Sequence, residues 1–336
     1  MRKPPFVIPS MDEIRSIAKN GLKLVSTFSG CGGSCLGFRM QGFEVLWASE
    51  FIDEAAETYR ANYPEVHLDQ RDIREVTAES ILEQIAMQSG DIDVLEGSPP
   101  CAAFSTAGML HDGWGKVRKY SDKEQRVDDL FFEFIRLVDG LRPKMFIAEN
   151  VRGLARGHSK GYFNDILRTM RGVGYNVVVR SLDAQWLGVP QMRERLIFMG
   201  ARNDLNLEPS FPTPLPYRYT LDEIFPYLAE IKVAGTYENW QPVKNRVSGT
   251  IAQSDGYRKS DTAYLSTHMV RAPDENGVLV KRRWTIDELK ILSTFPADFI
   301  LTGDTAQQWE RIGRAVPPRM MSYVAKELEK LLRVPA

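Results

Sequence analysis

The chain has 336 residues, long enough for one large domain or two unequal ones, and its 43 basic and 44 acidic side chains give a formal net charge of −1. With 43% hydrophobic and 26% charged residues the composition is globular, which excludes wholesale disorder, and no apolar run approaches the roughly 20 residues of a membrane helix. Three cysteines make no disulfide framework and fit a reducing cytoplasm, MRKPPFVIPSMDEI lacks the apolar core of a signal peptide, and a near-neutral total leaves nucleic acid open because steering follows the local field.

From the N-terminal side, LKLVSTF (22–28), EVLWASE (44–50), DIDVLEG (91–97), KMFIAEN (144–150), YNVVVRS (175–181) and RLIFMGA (195–201) read as strands. Between them DEAAETYRAN (53–62), AESILEQIAMQ (78–88) and LFFEFIRLVDGL (130–141) read as amphipathic helices. Strands fed by helices predict a largely parallel sheet covered on both faces, with ligands at the carboxyl ends of the strands. After Asn203 the alternation stops. Four prolines in LEPSFPTPLPYRY mark a boundary, 217–283 is polar and Gly-rich, and helical periodicity returns at TIDELKILSTF (285–295) and MMSYVAKELEKLL (320–332).

Several short segments carry chemistry, and each also has a plain structural reading. In FSGCGGSCLGF (28–38) the glycines allow positive φ and close backbone approach to an anionic ligand group, while Glu50, twenty positions after Gly30, suits ribose hydroxyls; a tight ligand-free turn is the alternative. Cys31 and Cys35 are spaced C-x3-C, but with no His or second Cys pair nearby they read as core residues and not as a metal site. GSPPCAAFS (97–105) holds the Cys101 thiol behind two φ-fixing prolines, either as a buried turn cysteine or as an exposed nucleophile. Glu149 in AENV is an ion-paired carboxylate or a proton donor, and Arg193 and Arg195 in GVPQMRER are a solvated edge or a clamp on phosphate or base.

In this order, FSGCGGSCLGF, GSPPCAAFS, AENV, GVPQMRER, WTIDELKILSTFPADF and GRAVPP (313–318) resemble the cytosine-C5 DNA methyltransferase family over nearly the whole chain. The resemblance implies a doubly wound, Rossmann-like α/β catalytic domain over 1–202, completed by 310–336, and a smaller β-rich target-recognition domain over 203–309. S-adenosylmethionine is then the cofactor, lined by Phe28, Ser29, Gly30, Cys31 and Gly32, with Glu50 on the ribose. Phe51 and Ile73 would sandwich the adenine, Asp72 would accept from its amino group, and Pro99, Leu130, Ala315 and Val316 would complete the pocket. Cys101 would be the nucleophile, Glu149 the partner of cytosine N3 and N4, and Arg193 and Arg195 its support. Two departures stand out: Arg314 where the family usually has Asn, and Arg71 where it commonly has Gly before the acidic residue.

These residue types suit the reaction. Cytosine C5 becomes nucleophilic only after a thiolate adds at C6, and the charge then placed on the ring needs a carboxyl at N3. The partner expected is double-stranded DNA with an extruded base, bound by a monomer without metal or membrane. Between Trp240 and Arg283 eight basic residues face four acidic ones, so Gln253, Tyr257, Arg258 and Arg271 are candidates for base readout, with Ser105 as a further DNA contact. An RNA (tRNA) cytosine-C5 methyltransferase of the same fold is the alternative, although the Cys-Phe-Thr tripeptide usual in that branch is absent. A catalytically weak DNA-binding regulator is the non-enzyme reading, and keeping both Cys101 and Glu149 argues against it.

Overall fold

In a computed structural model the described residues are 3–100, 117–120, 123–126, 129–232, 239–253 and 269–333. The chain forms two compact units. One comprises Met1–Ser16, Asp183–Arg193 and Thr213–Met321; the other comprises Ile17–Leu182, Glu194–Pro212 and Ser322–Ala336. A short helix α1 (Met11–Arg15), closed by a capping box between Ser10 and Glu13, belongs to the first.

The second unit is built on seven strands: β1 (Lys23–Thr27), β2 (Glu44–Ser49), β3 (His67–Asp69), β4 (Val94–Gly97), and then, after an antiparallel ribbon of β5 (Val117–Tyr120) and β6 (Lys123–Arg126), β7 (Met145–Val151), β8 (Tyr175–Asp183) and β9 (Glu194–Arg202). Their order is β3-β2-β1-β4-β7-β9-β8; β3 through β7 pair in parallel, and β9 runs antiparallel to β7. The chain winds outward from β1 to β3 and then returns beside β1 as β4, so the topological switch falls between β1 and β4, where such sheets bind ligands.

Helices α2 (Gly33–Arg39), α3 (Asp53–Asn62), α4 (Ala78–Gln84), α5 (Leu130–Leu141) and α6 (Lys160–Gly172) connect these strands. Leu130, Phe131, Phe134, Ile135, Leu137 and Val138 form one apolar stripe of α5, and all are buried against Val25, Leu95, Phe146 and Phe198 of the sheet. Gly200 makes room for this packing, since a Cβ there would lie 2.2 Å from the Phe146 ring.

In the first unit follow α7 (Leu221–Ile224), β10 (Glu230–Lys232), β11 (Trp240–Pro242), β12 (Met269–Pro273), β13 (Leu279–Arg283), α8 (Ile286–Leu292) and α9 (Thr305–Arg314). The strands form an antiparallel sheet ordered β11-β10-β12-β13. Ile231, Val270 and Ala272 turn its apolar face onto Phe225, Trp284, Leu292 and Trp309. The last helix, α10 (Pro318–Leu332), carries residues of both units. The doubly wound parallel sheet and the smaller β-rich region therefore match the fold expected from the sequence. Among the elements not read from the sequence are β3, which has only three residues, and the longer helices α6 and α9.

Candidate active site

β1 ends in a turn whose backbone is shaped for close approach. Phe28 adopts φ +52°, a left-handed conformation that a bulky residue occupies only where the surroundings impose it, and Gly30 follows at φ +56°. A Cβ on Gly30 would meet nothing within 4 Å, so the turn presents bare backbone to open space. Gly32 is different: at φ +87° its Cβ would lie 2.3 Å from the Tyr63 ring, and its carbonyl accepts from the Tyr63 hydroxyl at 2.9 Å. The first of these glycines opens space and the second closes packing. Ser29 is buried and Cys31 is 2% exposed.

Glu50, at the end of β2, holds this turn. Its Oε2 accepts from Gly30 N at 2.8 Å and its Oε1 from Ile52 N at 2.8 Å. A carboxylate has about four acceptor positions, and two of Glu50's bonds fix the turn and the start of α3. Phe51 is half-buried beside it. Asp72 caps the 3-10 turn Ile73–Glu75, accepting from Arg74 N at 3.1 Å and pairing with the Arg74 guanidinium at 2.9 Å; Arg74 also reaches Asp129 at 2.6 Å. Ile73 and Leu130 are buried, and Pro99 is buried at the end of the β4 loop. Arg71, one of the departures from the family, pairs with Asp69 at 2.6 Å; burial pushes the Asp69 carboxyl up, but hydrogen bonds from the Arg71 side chain and backbone, with its charge, hold it below the usual range. These residues of the second unit fit S-adenosylmethionine: a bare turn for the amino-acid end and carboxylates at the ends of β2 and beyond β3 for ribose and base.

β7 places Glu149 at 8% exposure. Arg195 opposes Val151 across the antiparallel β7–β9 pair, a diagonal step from Glu149, and its Nε lies 2.8 Å from Glu149 Oε1. The next residue, Asn150, donates from Nδ2 to the Pro99 carbonyl at 3.1 Å and thereby ties the strand of the carboxylate to the turn that leads to Cys101. Cys101 and Ser105 lie outside the described residues, as do Tyr257 and Arg258.

The remaining assigned residues lie in the first unit. Arg193 is 1% exposed and donates to the carbonyls of Gly313 at 3.0 Å, Arg314 at 3.2 Å and Ile251 at 3.4 Å. Of the two arginines, then, Arg195 reaches Glu149, and Arg193 braces the loop at the end of α9. Ala315 and Val316 are buried there, and Arg314 forms an i,i+4 ion pair with the buried Glu310. Gln253 is exposed, while Arg271 pairs with Glu230 at 2.7 Å and stacks 4.4 Å over Trp240.

Sequence reading missed Glu96, which is 1% exposed on β4. The signal was available, because an acidic residue inside an apolar parallel strand must be paired or neutral. Among the described residues no group of three or more His, Cys, Asp and Glu side chains is arranged to hold a metal. None of their helices is long and apolar enough to cross a membrane.

A doubly wound sheet with a bare glycine turn at its switch point, a carboxylate at the end of β2 holding that turn, and a carboxylate–arginine pair on neighbouring strands is the arrangement of a Rossmann-like, nucleotide-binding class of fold. Residues 22–330 match the family model for the C-5 cytosine-specific DNA methylases, and the chain belongs to that family, whose methyl donor is S-adenosylmethionine. It is 28% identical over 353 residues to the Type II methyltransferase M.NgoPII of Neisseria gonorrhoeae, covering 93% of this chain and 97% of that protein. It is 31% identical over 316 residues to the Type II methyltransferase M.HindV of Haemophilus influenzae, covering 91% and 96%. The crystal structure of a Spodoptera frugiperda DNMT2 variant shares the fold, with a TM-score of 0.66 at 19% identity over 92% of this chain and 99% of that one.

Proposed function

We propose that this protein methylates C5 of a cytosine within a defined sequence of duplex DNA, acting as a cytoplasmic monomer on a base extruded from the helix. The observation that carries this reading is the Asn150–Pro99 hydrogen bond, which sets the Glu149 strand beside the turn preceding Cys101. When bound, S-adenosylmethionine supplies an electrophilic methyl group. Phe28, Ser29, Gly30 and Cys31 would receive its amino-acid end, Glu50 its ribose, and Phe51, Asp72, Ile73, Pro99 and Leu130 its base; Gly32 supports the turn from behind.

The Cys101 thiolate adds to C6 of the flipped cytosine, and the ring electrons move toward N3 and C5. Glu149 hydrogen-bonds or protonates N3, held in place by Arg195, so the charge does not accumulate on the ring. Once C5 carries the methyl group, loss of the C5 proton returns electrons to the ring and expels the cysteine sulfur. The Type II names of the bacterial relatives favour duplex DNA with a specific site.

A duplex carrying 5-fluorocytosine tests this. The fluorine replaces the departing proton, so wild type should form a covalent DNA adduct stable to denaturation, and Cys101→Ser should form none. Methyl transfer without an adduct, or undiminished turnover by Cys101→Ser, would overturn it.

A further inference from the structure

Beneath the cofactor turn lies a polar cluster that the chemistry above does not use. Glu96 of β4 is in parallel register with Ser26 of β1, on the face covered by α2. Its Oε1 accepts from Ser26 Oγ, its Oε2 accepts from Ser34 Oγ at 2.9 Å, and Cys35 Sγ lies 3.8 Å from Oε1. Ser26 Oγ is also 2.7 Å from Ser29 Oγ, and Ser29 accepts at its carbonyl from Gly32 N at 2.9 Å. One carboxyl therefore touches the strand entering the turn and the helix leaving it.

We propose that Glu96 is a positioning residue for the cofactor, clasping the 28–33 turn from inside the sheet through Ser26 and Ser29 on one side and Ser34 on the other. The proposal rests on the methyl-transfer reading. Glu50 holds the turn at Gly30 N from the β2 side, so the backbone that receives the ligand is fixed at two points. Preorganisation of this kind lowers the ordering cost of binding and leaves the chemical step alone.

The surroundings give the clasp a pH dependence. Burial pushes Glu96 up to about 7, the charge of Glu149 adds to the rise, and the hydrogen bonds from Ser26, Ser34 and Cys35 oppose it. The neighbours keep their protons: burial and the Glu96 charge raise Cys35 to about 12, and burial takes Tyr59, whose hydroxyl donates to Cys35, and Tyr63 well above the ordinary tyrosine value. Arg39 is the cation whose charge opposes these rises at Cys35, Tyr59 and Tyr63. Ionised, Glu96 accepts from both serines and leaves Ser26 free to accept from Ser29. Protonated, it must donate to one of them, and the clasp loosens.

Calorimetric titration of the full chain with S-adenosylhomocysteine, between about pH 6 and pH 8.5, tests this. Wild type should bind more tightly as pH rises through about 7. Glu96→Gln should bind about tenfold more weakly at the upper end and show a flat pH profile, as expected for losing hydrogen bonds to a charged acceptor. In turnover assays its KM for S-adenosylmethionine should rise while kcat at saturation stays within about twofold. Ser26→Ala and Ser34→Ala keep the carboxyl and should each show part of the loss, which decides the matter if Glu96→Gln does not fold. Wild-type affinity and pH profile in a folded Glu96→Gln, or in both serine variants, would overturn the clasp while leaving the methyl-transfer reading standing. A wild type that binds no cofactor analogue would overturn both.

Discussion

Glu149 and Arg195 meet because antiparallel pairing of β7 with β9 puts them one diagonal step apart, both largely withdrawn from water. Replacing Glu149 by Gln keeps the shape but removes the acid, and kcat should fall by roughly 10²–10⁴ with the affinity for S-adenosylhomocysteine unchanged. An unaltered rate in single-turnover assays would make the carboxylate purely structural. Arg314 illustrates a different residue-level logic. The family usually has Asn here, and the Arg is matched by Glu310 one turn earlier on α9. Arg314→Asn alone deprives a buried carboxylate of its nearest cation and should destabilise by about 1–3 kcal/mol. Glu310→Gln with Arg314→Asn should recover much of that loss, and chemical denaturation of both singles and the double measures the coupling.

At the scale of elements, the C-terminal end of α9 packs on the backbone of Ala252 and Gln253, within the segment proposed to read bases. A Cβ on Gly313 would lie 2.7 Å from Gln253 N and Cα, and backbone cannot yield as a flexible side chain can. Gly313→Ala should therefore cost about 1–3 kcal/mol of stability by overpacking, and an unchanged denaturation midpoint would show that the loop gives way. The elements also explain what was legible beforehand. α5 and the apolar strands β1, β4 and β7 were readable because burial on one stripe or on both faces writes a periodic or continuous apolar pattern. β3 pairs over three residues and has no such pattern of its own. Cys101 lies outside the described residues, while Glu149 and the glycine turn were visible as motifs. The separate fates of Arg193 and Arg195 were not, because two residues of spacing says nothing about which carbonyls or carboxylates tertiary packing brings up. The glycine turn likewise gave no hint that Gly30 faces open space while Gly32 backs onto Tyr63.

Across the whole molecule, a net charge of −1 conceals two local imbalances, one buried and one between Trp240 and Arg283. The buried one is Glu96. Its folded-state value is raised from 4.5 to about 7, so its contribution to stability is fully present below about pH 4.5 and is lost as pH rises through about 7. Between about pH 5 and pH 8 the melting temperature of wild type should therefore fall relative to that of Glu96→Gln, the difference corresponding to on the order of 3 kcal/mol. A constant difference would mean that the carboxyl does not titrate in this range. The second imbalance is the excess of four positive charges between Trp240 and Arg283, which should make duplex binding weaken steeply with salt whatever the sequence. Specificity needs base-edge contacts as well, and the two described candidates differ in how they are held. Gln253 is exposed, with its backbone fixed against Gly313. Arg271 already pairs with Glu230 and stacks on Trp240, so its removal disturbs β10 and β12 along with any base contact. In methylation of a randomised-site duplex library read by deep sequencing, Gln253→Ala should relax discrimination at one position by about 1–3 kcal/mol. Arg271→Ala should do the same only if it reads a base directly, and Glu230→Gln, which breaks the ion pair but keeps the guanidinium, is the control that separates readout from sheet stability. With Tyr257→Phe and Arg258→Ala in the same library, an identical motif at identical discrimination in all four variants would remove this segment from base recognition and leave it the role of a phosphate-binding surface.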